Sequence, residues 1–508
     1  MLVGLLAIAA AALFWLYRWI TDRLDYFNRL GVSGPAPRFY YGHSKELHRI
    51  DYNGALQLRE WTKEYGSRYG VYEGTNPVVV LANAEDVNEV CVTKAECFEA
   101  KKLLHLASDE NGQDERVHMA EALGWRWRRL RGAANPLFTP SNLDKIQPIL
   151  HDSCLNLTRF LREKNGSSFN IHEFYQEYTF DVICRLVVGQ KESRMFSNPM
   201  CRHMKGIFVR DLNLWYLDLN LAFPALSPYM RKLFNTLAAK FENPIGMVLK
   251  EMEKVVDERI RGGNKEDNDD FIDAFLHQFS EEIEGESNKR SKSLTRDEII
   301  AQCFLFMMAG FDTSASALSF VTYLLAMHPE VQEKVREEIR KVMIEDSDWS
   351  QLGQLPYLDA VIKETLRIYP LSAFTTGRRC TRDTVVGGIS IGRGTYVQPD
   401  VYSIHYDELV WGRDAREFRP ERWLSPSVPS SAFLSFGLGP RRCIGYKLAM
   451  METKMALVSL LRAFHVVRTD RTEVSWEGDR SRNGVLPFPQ TNHYRCHAQY
   501  TPDRNSML

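Results

Sequence analysis

Cys443 lies in a local sequence that suits a reactive thiol. It follows the segment Phe436–Arg442 and precedes Gly445 and a stretch rich in Ala, Met and Leu, which is typical of a helix. Gly437 and Gly439 allow a tight turn and a close approach of the backbone to a flat ligand. A cysteine just before a helix N-terminus has its thiolate stabilised by N–H groups and the helix dipole, and a thiolate bound to iron promotes O–O cleavage. The alternative is a buried structural cysteine in a turn, the usual fate of a free cysteine.

Two polar residues interrupt a long apolar segment. The segment opens with Thr295–Glu298, which has the pattern of a capping box, and it continues to Met327. Because it is apolar almost all round, it predicts a buried helix through the centre of the body. Asp312 and Thr313 are poorly suited to such an interior, although a threonine hydroxyl can bond back to a carbonyl and a buried carboxyl can act as a positioned acid. The alternative is a polar patch on an exposed helix face.

Tryptophan and arginine alternate in the segment Trp125–Arg131. Trp127 and Arg131 are spaced so that they share one helix face, and both carry N–H donors suited to a carboxylate. Trp125 and Arg129 have the same spacing, so spacing alone leaves the register open.

Glu364 and Arg367 have the spacing of an ion pair on one helix turn. The residues that follow Arg367 are apolar or end a helix, which favours a buried pair. A buried ionic network is stable only when it is fully paired. We therefore assign these residues a structural role and not a catalytic one.

Taken together, these motifs resemble the cytochrome P450 family. The resemblance is most specific in the haem-binding loop and runs from Gly34 to about Val467. It is closest to the microsomal branch that includes the family-3 enzymes and their nematode relatives, on the segments Gly34–Pro37, Glu115–His118 and Ala309–Ser314. The family's fold implies a mainly α protein, a helical prism with a small β region.

The resemblance implies a haem b cofactor whose iron is held by Cys443. The residues implied to surround the cofactor are Phe436, Gly437, Gly439, Arg441, Gly445, Trp127, Arg131 and, less securely because of its spacing, Arg378. Asn135–Thr139 matches the family's continuation and selects Trp127 over Trp125. Arg128 and Arg129 would then face outward and, with Arg442 and Lys447, could form a basic patch for an acidic reductase; a solvated face is the alternative. Arg422 is implied to join Glu364 and Arg367.

The resemblance also implies a reaction. Thr313 would hydrogen-bond oxygen held on the iron and Asp312 would relay protons, so that one atom of O2 enters a lipophilic substrate. Electrons would come from NADPH through NADPH–cytochrome P450 reductase, with cytochrome b5 as a further partner. Phe304, Phe306, Ala309, Leu371 and Phe374 are candidates to line the substrate space. The alternatives are a haem-thiolate isomerase or dehydratase of lipid peroxides and a non-catalytic haem sensor.

The beginning of the chain predicts a membrane anchor. Leu2 to Tyr17 carries no charge, and with Trp19 and Ile20 the run approaches the ~20 residues needed to cross a bilayer. Arg18, Arg23 and Arg29 follow it, which places the body in the cytoplasm by the positive-inside rule; a cleaved signal peptide is the alternative. We therefore divide the chain into an anchor (1–20), a hinge (21–37) and a catalytic domain (38–508), on a single-pass protein of the endoplasmic reticulum membrane. The apolar stretch Asp211–Met230 is either a second membrane-contacting or entrance surface or two short core helices.

Composition adds limits to these predictions. The net charge of −1 gives no footprint for nucleic acid. The nine cysteines have no CxxC pairs, which argues against a zinc module or a disulfide scaffold and favours a reducing compartment.

Overall fold

The structure is a computed structural model that describes residues 2–48, 54–102, 114–164, 169–208, 215–238, 243–262, 270–279, 293–343, 349–425, 428–469, 472 and 497–502. Within these ranges the helices are α1 (Leu2–Leu24), α2 (Tyr26–Leu30), α3 (Ser44–Leu47), α4 (Gly54–Tyr65), α5 (Ala84–Asn88), α6 (Gly124–Ala134), α7 (Pro140–Arg162), α8 (Ile171–Val188), α9 (Pro199–Phe208), α10 (Trp215–Ala222), α11 (Ser227–Ala238), α12 (Pro244–Gly262), α13 (Phe271–Leu276), α14 (Arg296–Met327), α15 (Pro329–Val342), α16 (Pro356–Ile368), α17 (Val401–His405), α18 (Glu408–Trp411) and α19 (Tyr446–Ala463). The strands are β1 (Arg68–Glu73), β2 (Asn76–Leu81), β3 (Ala100–Lys101), β4 (Phe169–Asn170), β5 (Arg378–Arg379), β6 (Thr384–Val386), β7 (Ile389–Ile391), β8 (Tyr396–Pro399), β9 (Phe464–Arg468) and β10 (His497–Pro502). The prediction of a mainly α protein with a small β region is confirmed.

The central helix α14 has the boundaries that its end signals predict. The Thr295 hydroxyl accepts from the Glu298 N–H and the Glu298 carboxylate accepts from the Thr295 N–H, so the capping box is complete. The helix packs against α8, α12, α16 and α19, and most of its residues are buried. A helix that is apolar on all sides is stable in water only in such surroundings.

Helix α8 lies against α14 and supplies several buried polar side chains. It ends at Gly189, which has the left-handed φ of 68° that favours glycine as a helix stop. Its Gln176 donates to Asp312 of α14 at 2.8 Å, and its Thr179 hydroxyl donates to the Phe311 carbonyl at 2.9 Å. The polar groups of α14 therefore have partners available on the neighbouring helix.

The largest sheet has the strand order β1-β2-β8-β5-β3. The apolar run Val78–Leu81 forms the buried part of β2. At the other edge β3 pairs antiparallel with β5, and Lys101 lies opposite Arg378. This pairing brings two basic residues together that are far apart in the chain.

Helix α1 meets the body only near its C-terminal end. Ile20 is its one buried residue, and Trp19 stacks on Phe223 at a ring-centroid distance of 6.0 Å. The hinge then lies on the sheet, because the Gly70 N–H donates to the Ser33 carbonyl at 2.8 Å.

The apolar stretch Asp211–Met230 lies beside the end of α1. Residues 211–214 are outside the described part of the chain. In the rest, Asn76 donates to the Leu221 carbonyl at 3.0 Å and ties the end of α10 to the sheet. Leu226 and Tyr229 expose their side chains.

Candidate functional site

The loop before α19 holds Cys443 in a defined turn. Gly437 and Gly439 have φ of 69° and 67°, the left-handed region that favours glycine. A Cβ on Gly439 would lie 1.8 Å from the Cys91 carbonyl oxygen, so the loop passes directly over that backbone. The Cys443 N–H donates to the Phe436 carbonyl at 2.8 Å and closes the turn.

The thiol of Cys443 lies at the N-terminus of α19. Gly445 is the N-cap of this helix, and its N–H donates to the sulfur. Burial is the largest effect and raises the pKa of the thiol above its ordinary value, although the Gly445 N–H and the charges of Lys101, Arg131 and Arg442 act to lower it. The side chain is nevertheless accessible. The N–H group and the three cations therefore stabilise the thiolate only in part.

Basic side chains gather beside this thiol. Burial, and then the charge of Arg378, lower the pKa of Arg441 to about 9. Burial also lowers the pKa of Arg378 and of Arg131. These three arginines, together with Lys101, are called the cation cluster below.

Arg441 is held from one side by backbone carbonyls. Its Nη2 donates to the Ala122 carbonyl at 2.7 Å and its Nη1 to the Met119 carbonyl at 3.2 Å. Its guanidinium lies 4.2 Å from the ring centroid of Trp127. The indole of Trp127 thus faces the cation cluster, whereas Trp125 is 41% exposed, so the predicted register is the one adopted.

The structure corrects the prediction for Arg129. Arg128 is exposed as expected, with 64% of its side chain accessible. Arg129 is buried and forms a bidentate ion pair with Glu298 at the start of α14. Its partner lies far away in the sequence, so the spacing within α6 could not indicate it.

Lys101 is a member of the cluster that the sequence analysis missed. Burial, and then the charges of Arg378 and Arg441, lower its pKa to about 8, while Cys443 acts in the opposite direction. No motif contains this lysine. Its place follows from the pairing of β3 with β5, which is a tertiary contact.

One stripe of α14 is accessible although most of the helix is buried. Ala309 is exposed, and Leu305 and Thr313, four residues before and after it, are partly accessible. The Thr313 hydroxyl donates to the Ala309 carbonyl, as predicted for a threonine in a helix interior. Gly310 lies against α8, since a Cβ there would be 2.8 Å from Ile183 Cδ1. The accessible space is therefore on the Thr313 side of α14 and not on the Gly310 side.

Asp312 points to the α8 side of α14. It is 3% exposed, which rules out an exposed polar patch. Its Oδ1 accepts from Gln176 Nε2 at 2.8 Å and lies 3.7 Å from His172 Nε2. The carboxyl is thus adjacent in sequence to Thr313 but held by a different element.

The proposed lining residues separate into two groups. Ala309 belongs to the accessible stripe, and Leu371 and Phe374 are partly buried. Phe304 and Phe306 are buried in the core. Phe306 packs against the rings of Phe138, Phe271 and Phe275, so it does not line an accessible space.

The pair of Glu364 and Arg367 forms the centre of a buried network. Arg367 Nε and Nη2 each donate to the Glu364 carboxylate at 2.8 Å, and Arg422 Nε donates to the same carboxylate at 2.8 Å. The Trp423 indole adds a fourth bond at 2.9 Å. The predicted contact of Arg422 with the pair is present, and the network fixes the loop that leads to Cys443.

The residues around Cys443 fit an iron porphyrin. Among the described residues no three His, Cys, Asp or Glu side chains are grouped so as to hold a metal ion. A metal that brings its other ligands with it, as the iron of a porphyrin does, fits a site in which the described residues offer a single thiol. The Nε of Arg441 is buried with no hydrogen-bond partner in the described part of the chain, and the cation cluster suits the acidic side chains of such a group.

Comparisons with known proteins give a consistent answer. A family model described as Cytochrome P450 matches residues 32–489, which extends past the end of the motif resemblance at Val467. Putative cytochrome P450 CYP13A2 of Caenorhabditis elegans is 38% identical over 480 residues, which cover 90% of this chain and 92% of the relative. Putative cytochrome P450 cyp-13B1 of the same organism is 34% identical over 476 residues, with the same coverage. The predicted likeness to nematode proteins of this kind is confirmed.

Proposed function

This chain belongs to the cytochrome P450 family, and from that premise we propose that it is a monooxygenase. The proposed reaction inserts one atom of O2 into a lipophilic small molecule with electrons from NADPH. The observation that carries the proposal is the accessible thiol of Cys443 beside a cation cluster of four basic side chains, of which Arg441 has the carboxylate of Glu99 nearby.

The chain's residues would hold haem b in two ways. Cys443 would supply the thiolate that holds the iron, and the Gly445 N–H and the helix dipole of α19 favour its ionised form against the effect of burial. The two propionates would be bound by Arg131, Arg378, Arg441, Lys101 and the Trp127 indole. When bound, the haem supplies the iron that takes up electrons, binds O2 and transfers one oxygen atom.

We assign the accessible stripe of α14 to the side of the cofactor site that lies away from Cys443. Thr313 supplies a hydroxyl whose own proton is directed at the Ala309 carbonyl, so its oxygen can accept a hydrogen bond from water or substrate. Leu305 and Ala309 give the stripe an apolar surface, which suits a lipophilic substrate and excludes bulk water. Asp312 moves protons toward Thr313 from the α8 side.

The proposed redox partners are NADPH–cytochrome P450 reductase and cytochrome b5. Arg128, Arg442 and Lys447 are exposed around the loop that carries Cys443. A positive patch there would attract an acidic partner and shorten the path for electrons to the thiolate side.

We place the protein in the endoplasmic reticulum membrane as a single-pass protein with its body in the cytoplasm. α1 is long and apolar enough to cross a bilayer, and only 6% of its apolar window is buried; α14 passes the same test of length and composition but is 72% buried in the core. Leu226 and Tyr229, beside the end of α1, would touch the same membrane. A glycosylation tag at the N-terminus should be modified, whereas a C-terminal tag on intact microsomes should be cleaved by added protease.

The test of the cofactor is a reduced-CO difference spectrum of the full chain and of Cys443→Ala. The wild type should give the Soret band typical of thiolate ligation, and the variant should lose it. Cys154→Ala is a matched control, because Cys154 is a buried cysteine in the core. An unchanged spectrum in Cys443→Ala would contradict the assignment.

The test of the reaction is NADPH consumption by the protein reconstituted with the reductase. Oxidised product formed in proportion to NADPH supports the monooxygenase. Rearrangement of a lipid hydroperoxide without any NADPH consumption would favour the isomerase or dehydratase, and haem binding with neither activity would favour the sensor.

A further inference from the structure

His172 and Gln176 of α8 form a pair of side chains that faces Asp312. They are four residues apart, so they lie on one face of the helix. Gln176 Nε2 donates to Asp312 Oδ1 at 2.8 Å, and His172 Nε2 lies 3.7 Å from the same oxygen. The partners of this carboxyl are thus a neutral amide, which cannot carry a proton onward, and an imidazole, which can.

The hydrogen bonds of His172 define which nitrogen exchanges its proton. The Ser319 hydroxyl donates its only proton to the Ala315 carbonyl at 2.8 Å, and its oxygen lies 3.0 Å from His172 Nδ1. The oxygen must therefore accept from Nδ1, so Nδ1 carries a hydrogen in both charge states of the ring. Gain and loss of a proton is left to Nε2, the nitrogen that faces Asp312.

The accessibility of the two groups gives the relay a direction. The His172 side chain is 12% accessible and that of Asp312 is 4% accessible. Histidine is the side chain that most readily changes charge near neutral pH. Solvent can therefore supply protons to the imidazole more easily than to the carboxyl behind it.

We propose that His172 is a positioning residue that replenishes the proton of Asp312 during turnover. The inference rests on the proposed monooxygenase function and deepens it. The protonated ring passes its Nε2 proton to the Asp312 carboxylate and becomes neutral with the hydrogen kept on Nδ1. The Asp312 carboxylic acid then releases that proton on the Thr313 side of α14, and the ring takes up the next one from solvent. The transfer needs the two atoms to approach by about 0.7 Å from 3.7 Å, since N–H···O bonds have a mode near 3.0 Å.

The experiment compares two substitutions that keep different hydrogen bonds. In His172→Asn the amide replaces Nδ1 and keeps a donor for Ser319, and in His172→Gln the amide replaces Nε2 and keeps a donor for Asp312. Neither can carry a proton. His328→Gln is the matched control, because His328 lies at the exposed C-cap of α14 beside Glu330.

The first readout is the product formed per NADPH with 7-ethoxycoumarin as the probe, together with released H2O2. Both His172 variants should keep the reduced-CO spectrum. Their product per NADPH should fall about tenfold, which is less than the loss typical of a directly placed acid, and they should release more H2O2. Turnover driven by cumene hydroperoxide should remain near that of the wild type, because this oxidant brings its own proton. If the His172 variants formed as much product per NADPH as His328→Gln, the inference would be overturned. It would also be overturned if their activity fell equally with NADPH and O2 and with cumene hydroperoxide.

The second readout does not depend on activity. In a double-mutant cycle of His172→Asn with Asp312→Asn, the shifts in Tm should be non-additive because the two side chains contact each other. Additive shifts would overturn the inference even if coupling fell. If the wild type itself never consumes NADPH, the proposed function fails first; wild-type turnover with unaffected His172 variants rejects this inference alone.

Discussion

The cation cluster brings four positive side chains into one partly buried place beside Cys443. Burial is the main cause of the lowered pKa of Lys101 and Arg441, and the repulsion between like charges in a medium of low dielectric adds to it. A group with two carboxylates would reverse the balance by giving each cation a partner. The cluster therefore links the affinity for the cofactor to the stability of the protein without it.

For Lys101→Met we expect opposite effects on these two quantities. The haem-free protein should gain in Tm, because one of the repelling charges is removed. The affinity for haem should fall by roughly 10- to 100-fold, which corresponds to the ~1.5–3 kcal/mol of a hydrogen bond to a charged group. Haem transfer to excess apomyoglobin and thermal unfolding measure the two effects. Lys101→Arg should behave like the wild type, and an unchanged rate of haem transfer in Lys101→Met would show that Lys101 does not contact the cofactor.

For Thr313→Ala we expect uncoupling without loss of the cofactor. The variant removes the only hydroxyl on the accessible stripe at this turn, so product per NADPH should fall about tenfold while H2O2 rises. The reduced-CO spectrum should not change. Thr313→Ser keeps the hydroxyl and serves as the control; equal coupling in both variants would contradict the role of this side chain.

Glu452 of α19 gives the chain a defined dependence of stability on pH. Burial raises the pKa of this carboxyl to about 8, although a hydrogen bond from Ser314 lowers it. Because the pKa in the folded protein is above the ordinary value for glutamate, the folded state binds the proton more tightly than the unfolded state. Its contribution to stability is complete below about pH 4.5 and is lost as the pH rises toward 8, at roughly 1.4 kcal/mol per pH unit.

Glu452→Gln should therefore be more stable than the wild type at pH 7.5 and close to it at pH 5. Thermal unfolding at the two pH values measures the difference. Glu408→Gln, in the short helix α18, is the control because it makes the same change of charge. A difference between wild type and variant that does not vary with pH would contradict the raised pKa.

At the scale of elements, the joint between α6 and α14 fixes where the two halves of the site lie. Glu298 caps α14 through the Thr295 N–H and also pairs with Arg126 and Arg129 of α6. α6 carries Arg131 of the cation cluster and Trp127, which packs on Arg441, whereas α14 carries Thr313. One buried carboxylate thus sets the position of α6 relative to α14.

For Glu298→Gln we expect a loss of about 3–5 kcal/mol in the free energy of unfolding, since the buried guanidinium of Arg129 and the partly buried one of Arg126 would lose their charge partner. Haem binding should weaken as well, because α6 is no longer held in place. Chemical denaturation measures the first effect and haem transfer the second. Asp297→Asn, whose side chain is 27% accessible, should cost less than about 1 kcal/mol. Equal costs for both variants would show that α6 and α14 are not joined through this residue.

Elements with local signals were predicted well from the sequence. The capping box of α14 depends on Thr295 and Glu298, which are three residues apart in the chain. The positions of Arg129 and Lys101 were not predicted correctly from the sequence, because their surroundings come from tertiary contacts. The Arg129–Glu298 pair joins residues 169 positions apart, and Lys101 meets Arg378 only through the pairing of β3 with β5.

At the scale of the whole molecule, helix α1 and the body differ in the surface that they expose. The body buries its apolar residues around α14, whereas the side chains of α1 remain exposed along nearly its whole length. Such a surface is stable only when apolar material covers it. The hinge residues, by contrast, are fixed to β1 by the bond between Ser33 and Gly70, so the body has a defined support next to the proposed anchor.

Deletion of residues 2–18 should therefore release the protein from membranes and leave the site intact. The deletion spares Trp19 and Ile20, which contact the body, so the reduced-CO spectrum and Tm should match those of the full chain. Full-length protein should stay in the pellet after carbonate extraction, and the truncated protein should appear in the supernatant. Leu226 and Tyr229 remain exposed in the truncated protein, and we expect them to support only a weak, salt-resistant binding to lipid vesicles, which Leu226→Ser with Tyr229→Ser should abolish. Retention of the truncated protein after carbonate treatment would show that α1 is not the anchor.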